Sequence, residues 1–204
     1  MTTIGFVRHG ITDWNIQRIA QGSSDIPLNE TGREQARAIA VRLAQEEPWD
    51  VIISSDLIRA KETAETIAAK LGMPIEAIDS RIRELSGGLI EGTTEAERVE
   101  RWGTDWREQD LGREALSAGI KRSGEAIQDA MEKYPGKRIL MVSHGGLIGL
   151  AVKNLLPDQF EKIILDNTSI TILENVESKW ECTLFNCTKH LPEVVEEQVA
   201  GKIK

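Results

Sequence analysis

The chain has 204 residues, 40% of them hydrophobic, with 33 acidic against 25 basic side chains and a formal net charge of −8. That length suffices for a sizeable core. The acidic balance speaks against a nucleic-acid or anionic-membrane partner, since such binders carry a basic excess, and no apolar stretch approaches the ~20 residues needed to span a bilayer. Met1-Thr2-Thr3 runs straight into a short apolar segment without a basic leader, so a cytoplasmic protein is expected.

Strand-like apolar runs occur at 4–7, 51–54, 75–78, 139–142, 169–174 and 180–185. Helical patterns lie between them. The first, 31–45, repeats Ala36, Ile39, Ala40 and Leu43 at helical spacing, with Thr31 as expected N-cap and Glu34 as its capping-box partner. A second spans 57–71 and ends at Gly72 and Pro74, and a third spans 125–134 before Pro135-Gly136. From 93 to 116 the chain is polar, with Trp102 and Trp106 four apart, and is expected to form a helical excursion over the site. Strands alternating with helices predict a largely parallel sheet covered on both faces. Asn175-Val176-Glu177-Ser178, between the last two runs, is short enough for a hairpin and makes one terminal strand antiparallel. Cys182 and Cys187 are five apart, on opposite faces of a strand, and are expected to be free thiols. Without linkers or internal repeats, residues 1–204 are expected to form a single domain.

Two of the three histidines stand where a buried run gives way to glycine, at Arg8-His9-Gly10 and Ser143-His144-Gly145-Gly146. The C-terminal ends of strands are where α/β folds assemble sites. A neutral imidazole can attack phosphorus and divide a difficult hydrolysis into two easier steps. A lone His after a strand would ordinarily be a hydrogen-bonded structural residue, but Arg8 beside His9 supplies a guanidinium able to hold two phosphoryl oxygens. Metal ligation is the less fitting alternative, because no Asp or Cys lies at ligand spacing from either histidine and Arg8 would repel a cation. Arg59 falls in the first turn of a helix, where anions are favoured, although taken alone it reads as a solvated helix arginine.

These segments together resemble the histidine phosphatase (phosphoglycerate mutase-like) superfamily. The similarity rests on Arg8 to Leu28, opening with Arg8-His9-Gly10, on the run Ser54-Ser55-Asp56-Leu57-Ile58-Arg59-Ala60-Lys61-Glu62-Thr63-Ala64, on Arg83 to Gly92, on Ser143 to Gly146 and on Asn167-Thr168-Ser169. The resemblance implies a three-layer α/β/α sandwich around a six-stranded, mostly parallel mixed sheet. It also implies a covalent phosphohistidine on His9, with Arg8, Arg59 and His144 binding and polarising the phosphoryl group. Glu84 takes the general-acid place, with Glu91 as a weaker rival. Asn15, Gln21 and Gly22 match the phosphate-side loop, and Gly145 matches a position whose backbone N–H approaches the phosphoryl group. Asn167 to Ser169 is expected to be structural or pocket-lining, and His190 is given no chemistry.

The implied activity is metal-independent and cofactor-free hydrolysis of small-molecule phosphomonoesters, with inorganic phosphate as product and broad specificity. Phosphoglycerate mutase-type transfer and a non-catalytic phospho-ligand module are the alternatives. The mutases are usually longer and carry tyrosine three residues beyond the acid, where this chain has Gly87. Binding alone would need neither His9 nor Glu84. Arg98, Arg101 and Arg107 keep a carboxylate-bearing substrate open, and a homodimeric state also stays open. Ile90, in place of a common aromatic, and Arg113-Glu114-Ala115, in place of Gly-Glu-Ser, set the substrate side apart from many members.

Overall fold

The computed structural model describes residues 1–160, 163–177 and 179–192; the remainder of the expected 1–204 domain and the hairpin residue Ser178 lie outside the described residues. Six strands form one sheet: β1 (Thr2–Arg8), β2 (Val51–Ser54), β3 (Ala77–Ile78), β4 (Arg138–Ser143), β5 (Ile170–Val176) and β6 (Lys179–Cys187). Their spatial order is β3-β2-β4-β1-β5-β6. The pairs β2–β3, β2–β4 and β1–β4 are parallel, whereas β5 runs antiparallel to β1 and to β6. One reversed strand near the end of the sheet is what the short connection predicted.

Buried side chains divide between the two faces. Ile4, Phe6, Ile139 and Met141 pack with α5 (Leu116–Lys133) and α6 (Gly145–Leu155), while Val7, Ile52, Leu140 and Val142 pack with α2 (Glu30–Leu43) and α3 (Ile58–Leu71). The result is the three-layer α/β/α sandwich. In α3, Ala60, Ala64, Ile67 and Ala68 form the buried stripe, and fully burying a side chain such as Ile67 contributes roughly 1.5–3 kcal/mol. Cys182 and Cys187 are free thiols packed against opposite faces.

Several boundaries differ from expectation. The cap of α2 is Asn29, whose side chain accepts from the Gly32 N–H at 2.9 Å; Thr31 lies inside the first turn and does not serve as the cap. Helix α5 begins at Leu116, nine residues before 125, because Gly119 and Ser123 also face inward, which dilutes the apolar period of its first half. The excursion has less helix than expected: α4 (Glu95–Trp102), capped by a Thr94–Glu97 box, stops at Gly103 with φ +82, and Trp106 belongs to a separate 3-10 turn. A four-residue helix, α1 (Asp13–Ile16), adds a further capping box between Thr12 and Asn15.

His190, which has no chemical assignment, joins two layers. Arg42 Nη1 donates to its Nδ1 at 3.4 Å, so its Nε2–H is left to donate to Thr168 Oγ1 at 3.1 Å. Burial, then the neighbouring Arg42, pushes the imidazole down to about 4, with Glu46 opposing. Because the folded value lies below the unfolded one of about 6.5, the unfolded chain takes up the proton first. This contribution is therefore complete above about pH 6.5 and is lost as pH falls toward 4. With the ring's partial exposure allowed for, wild type should lose ~1 kcal/mol more than His190→Gln between pH 7 and pH 4.5 in urea unfolding. Parallel pH profiles for the two proteins would contradict this.

Candidate active site

The parallel pairing of β1 with β4 sets Arg8 opposite Ser143, and the His9 N–H continues the ladder to the Ser143 carbonyl at 2.9 Å. Both histidines therefore leave the sheet at one level. Their ring centroids are 5.2 Å apart, and both rings are buried. The connection after β1 crosses toward β2 on one side and the connection after β4 leads to β5 on the other, which is the strand-order reversal that opens a crevice in α/β sheets.

His9 is oriented by two contacts. Its Nδ1 lies 2.7 Å from the Gly10 carbonyl, which can only accept, so Nδ1 carries the hydrogen; Arg59 Nε donates to Nε2 at 3.3 Å. The Nε2 lone pair is thus presented beside a guanidinium. Burial, reinforced by Arg59 and Arg8 and opposed by the Gly10 hydrogen bond, holds the imidazole well below its ordinary value. His9 therefore stays neutral near pH 7, with Nε2 unprotonated. The Gly10 N–H is in turn fixed by Thr63 Oγ1 at 3.1 Å, and the Asn167 Nδ2 group donates to the His9 carbonyl at 3.0 Å.

Arg59 is fully buried in the first turn of α3. Besides His9, it grips the loop: Nη1 donates to the Ser24 carbonyl at 2.7 Å and Nη2 to the Gly22 carbonyl at 2.8 Å. Burial lowers its guanidinium to about 10, with Glu84 opposing, so it remains cationic. Gly22 has φ +51, in the left-handed region, and a Cβ there would lie 2.7 Å from the Gly87 backbone nitrogen as well as against Glu91, so any side chain at this position would be strained. Arg8 donates to the Leu165 carbonyl, while its buried Nε has no partner among the described residues. Gly145 opens α6 beside it, where a Cβ would lie 3.1 Å from Arg8 Nε. His144 approaches Ser55 Oγ at 2.8 Å through Nε2, and its buried Nδ1 has no partner among the described residues. Burial, with Arg59, His9 and Arg8 adding, also keeps this imidazole well below its ordinary value.

Glu84 completes the group. Its carboxyl accepts from the N–H of Leu85 (3.0 Å), Gly146 (3.0 Å) and Leu147 (2.9 Å), placing it at the N-terminus of α6. It also lines two adjoining openings. The larger, a cleft of about 630 Å³, is walled by Gly22, Ile90, Leu111 and Arg113; the smaller, about 250 Å³, is walled by Arg8, Gly145 and Leu165.

The rival Glu91 has a different position. It accepts from Ser23 and Gly87 N–H groups and from the Ser23 and Ser24 hydroxyls, all within 2.9 Å. Burial pushes this carboxyl up, but those bonds together hold it below the usual carboxylate range; it is an anionic tie for the 22–24 loop. Asn15 and Gln21 turn their oxygens toward Thr12 Oγ1, at 3.1 and 3.0 Å. Arg98, Arg101 and Arg107 do not line the cleft. Arg98 and Arg107 stack on Trp106, at 4.9 and 4.3 Å, and Arg101 pairs with Glu97. Sequence reasoning gave Ser55 and Thr63 no roles, although both lie inside the quoted 54–64 run. Among the described residues no group of three or more His, Cys, Asp or Glu side chains is arranged to hold a metal ion, and no helix is long and apolar enough to cross a membrane.

Residues 4–188 match the model of the histidine phosphatase superfamily (branch 1). The "Uncharacterized phosphatase PhoE" of Bacillus subtilis is 34% identical over 193 residues, covering 94% of this chain and 97% of the relative. A "Probable phosphoglycerate mutase GpmB" of Escherichia coli is 38% identical over 192 residues, covering 88% of each. Among solved structures, the mycobacterial glucosyl-3-phosphoglycerate phosphatase superimposes with a TM-score of 0.78 at 30% identity, covering 90% of this chain and 98% of the other.

Proposed function

Because the chain belongs to the histidine phosphatase superfamily and is a phosphoric monoester hydrolase, we propose that it cleaves small-molecule phosphomonoesters, with broad specificity, through a phosphohistidine on His9. The observation that carries this reading is the orientation of His9, with Nδ1–H tied to the Gly10 carbonyl and the Nε2 lone pair set beside Arg59. In the first step Nε2 bonds to phosphorus and the P–O ester bond breaks, the leaving oxygen taking a proton from Glu84. In the second, Glu84 carboxylate takes a proton from water, whose oxygen bonds to phosphorus as the P–N bond breaks; inorganic phosphate leaves and both groups return to their starting forms. Arg8, Arg59 and His144 stabilise the charge that builds on the phosphoryl oxygens. If Ser55 donates to His144 Nε2, the ring hydrogen lies on Nδ1, the buried ring atom that has no partner among the described residues, and is available to a phosphoryl oxygen. Asn15 and Gln21, whose oxygens already face Thr12, have their amide N–H groups left for the ester, Gly145 offers its backbone N–H to the phosphoryl group, and Gly22 orders Arg59 through its carbonyl.

The similarity to a probable phosphoglycerate mutase favours phosphoryl transfer to a second acceptor as the other reading. Gly87 weighs against it: it stands where a mutase would carry tyrosine, and a Cβ there would lie 2.9 Å from Glu91 Cγ, so a larger side chain would require the Glu91 side chain to shift. Hydrolysis of p-nitrophenyl phosphate should persist in EDTA, and 2- and 3-phosphoglycerate should release phosphate without interconverting. Loss of activity in EDTA, restored by zinc or magnesium, would contradict the metal-free mechanism, and interconversion primed by a bisphosphoglycerate would favour the mutase.

A further inference from the structure

Glu84 lies on a stretch with little regular structure. A 3-10 turn, Ser80–Ile82, precedes it, and the nearby strand β3 is two residues long. A proton donor on such a segment needs support from elsewhere, because misplacing a catalytic group by about 1 Å can cost ~10²-fold in rate.

The Ser143 hydroxyl holds its start, donating to the Ile82 carbonyl at 2.6 Å, and two further side chains from outside the segment bind its main chain on both sides of Glu84. Arg122, on α5, donates through Nη1 to the carbonyls of Arg81 and Arg83, both at 2.7 Å, and through Nη2 to the Glu84 carbonyl at 3.2 Å. Its remaining donors meet Glu114: Nε to Oε1 at 2.7 Å and Nη2 to Oε2 at 3.0 Å. All five N–H groups are thus engaged, so Arg122 has no donor left for a substrate. Glu114 also binds the far side of the acid, accepting from the Ser86 N–H at 3.0 Å and donating its own N–H to the Ser86 carbonyl at 2.9 Å. Both side chains are more than four-fifths covered, at 18% and 19% exposure, so water screens this pair less than an ordinary surface ion pair. Glu114 is also part of the wall of the 630 Å³ cleft.

We propose that Arg122 and Glu114 are positioning residues for Glu84, bracketing its backbone from both sides and aligning its carboxyl with the leaving-group oxygen. The inference rests on the reading of Glu84 as the acid. Neither residue touches the reacting atoms; their effect passes through the 81–86 backbone. A pair that only stabilised the fold would affect all substrates alike, whereas a pair that aligns the acid matters most when the leaving group needs a proton.

The test compares p-nitrophenyl phosphate with phenyl phosphate, which differ little in size while the phenyl ester has the poorer leaving group. Turnover is measured for wild type, Glu84→Gln, Arg122→Lys, Glu114→Gln and the Glu84→Gln/Arg122→Lys double variant, with thermal unfolding of each. Glu84→Gln should lose about 10²-fold more activity on the phenyl ester than on the nitrophenyl ester. Arg122→Lys keeps the charge but not the five-donor fork, and it and Glu114→Gln should each show a selective loss of about 10-fold. The double variant should be no more selective than Glu84→Gln alone. Equal losses on both esters for Arg122→Lys and Glu114→Gln, or no loss, while Glu84→Gln remains selective, would overturn the positioning role and leave the acid in place. A Glu84→Gln enzyme without selectivity would remove the acid assignment and the proposal with it.

Discussion

Replacing His9 with alanine is expected to lower turnover by about 10⁴-fold or more while the protein stays folded. Removing a nucleophile from an enzyme that works through a covalent intermediate abolishes the stepwise path and leaves only what binding and charge stabilisation supply. The structural cost is smaller. The ring lies beyond the last residue of β1, so no sheet layer loses its packing, and the chief loss is of two hydrogen bonds, to the Gly10 carbonyl and from Arg59 Nε. That loss costs about 1–3 kcal/mol, and thermal unfolding should register it as a modest shift. Residual activity within about tenfold of wild type would show that His9 is not the nucleophile.

Arg59→Ala should reduce turnover about 10²–10³-fold on good and poor leaving groups alike, corresponding to roughly 3–4 kcal/mol of lost transition-state stabilisation. The breadth of the effect separates a charge clamp from the leaving-group acid. A second consequence follows from the contacts: the Gly22 and Ser24 carbonyls lose their donors and the core loses a fully buried side chain. The variant should therefore be less stable by ~2–4 kcal/mol, and its kinetics are to be measured well below its melting temperature. Loss confined to poor leaving groups would contradict this role.

The two strands that carry the histidines were legible because they are short apolar runs ending at Arg-His and Ser-His, and the structure gives each of the six strands within a few residues of its predicted span. The meeting of Arg8-His9 with Ser143-His144 follows from the β1–β4 pairing, which no local pattern encodes; only their shared placement at strand ends hinted at it. Boundaries were misread where a side chain's partner lies close by but competes with an equally suitable neighbour, as with Asn29 over Thr31. The first half of α5 was missed because its inward positions Gly119 and Ser123 are not apolar side chains and dilute the period. Arg59 was legible as a cation near the phosphate position, but its grip on two loop carbonyls was not, since backbone acceptors leave no mark in the sequence. For the same reason Arg122, whose partners include three main-chain carbonyls, reads in the sequence as one more helix arginine. Arg98 and Arg107 illustrate the converse: they suggest a substrate-binding face, yet both guanidinium groups lie over the Trp106 ring, which follows the helix end at Gly103.

The central claim is that phosphorus becomes bonded to His9 Nε2 during turnover, and rapid quenching of the enzyme with a ³²P-labelled phosphomonoester tests it most directly. Label that is acid-labile and alkali-stable, as a phosphoramidate should be, is predicted on wild type, in the peptide containing His9, and is predicted to be absent from His9→Ala. Label resistant to acid, label in another peptide, or label that persists at the same level in His9→Ala would contradict the mechanism.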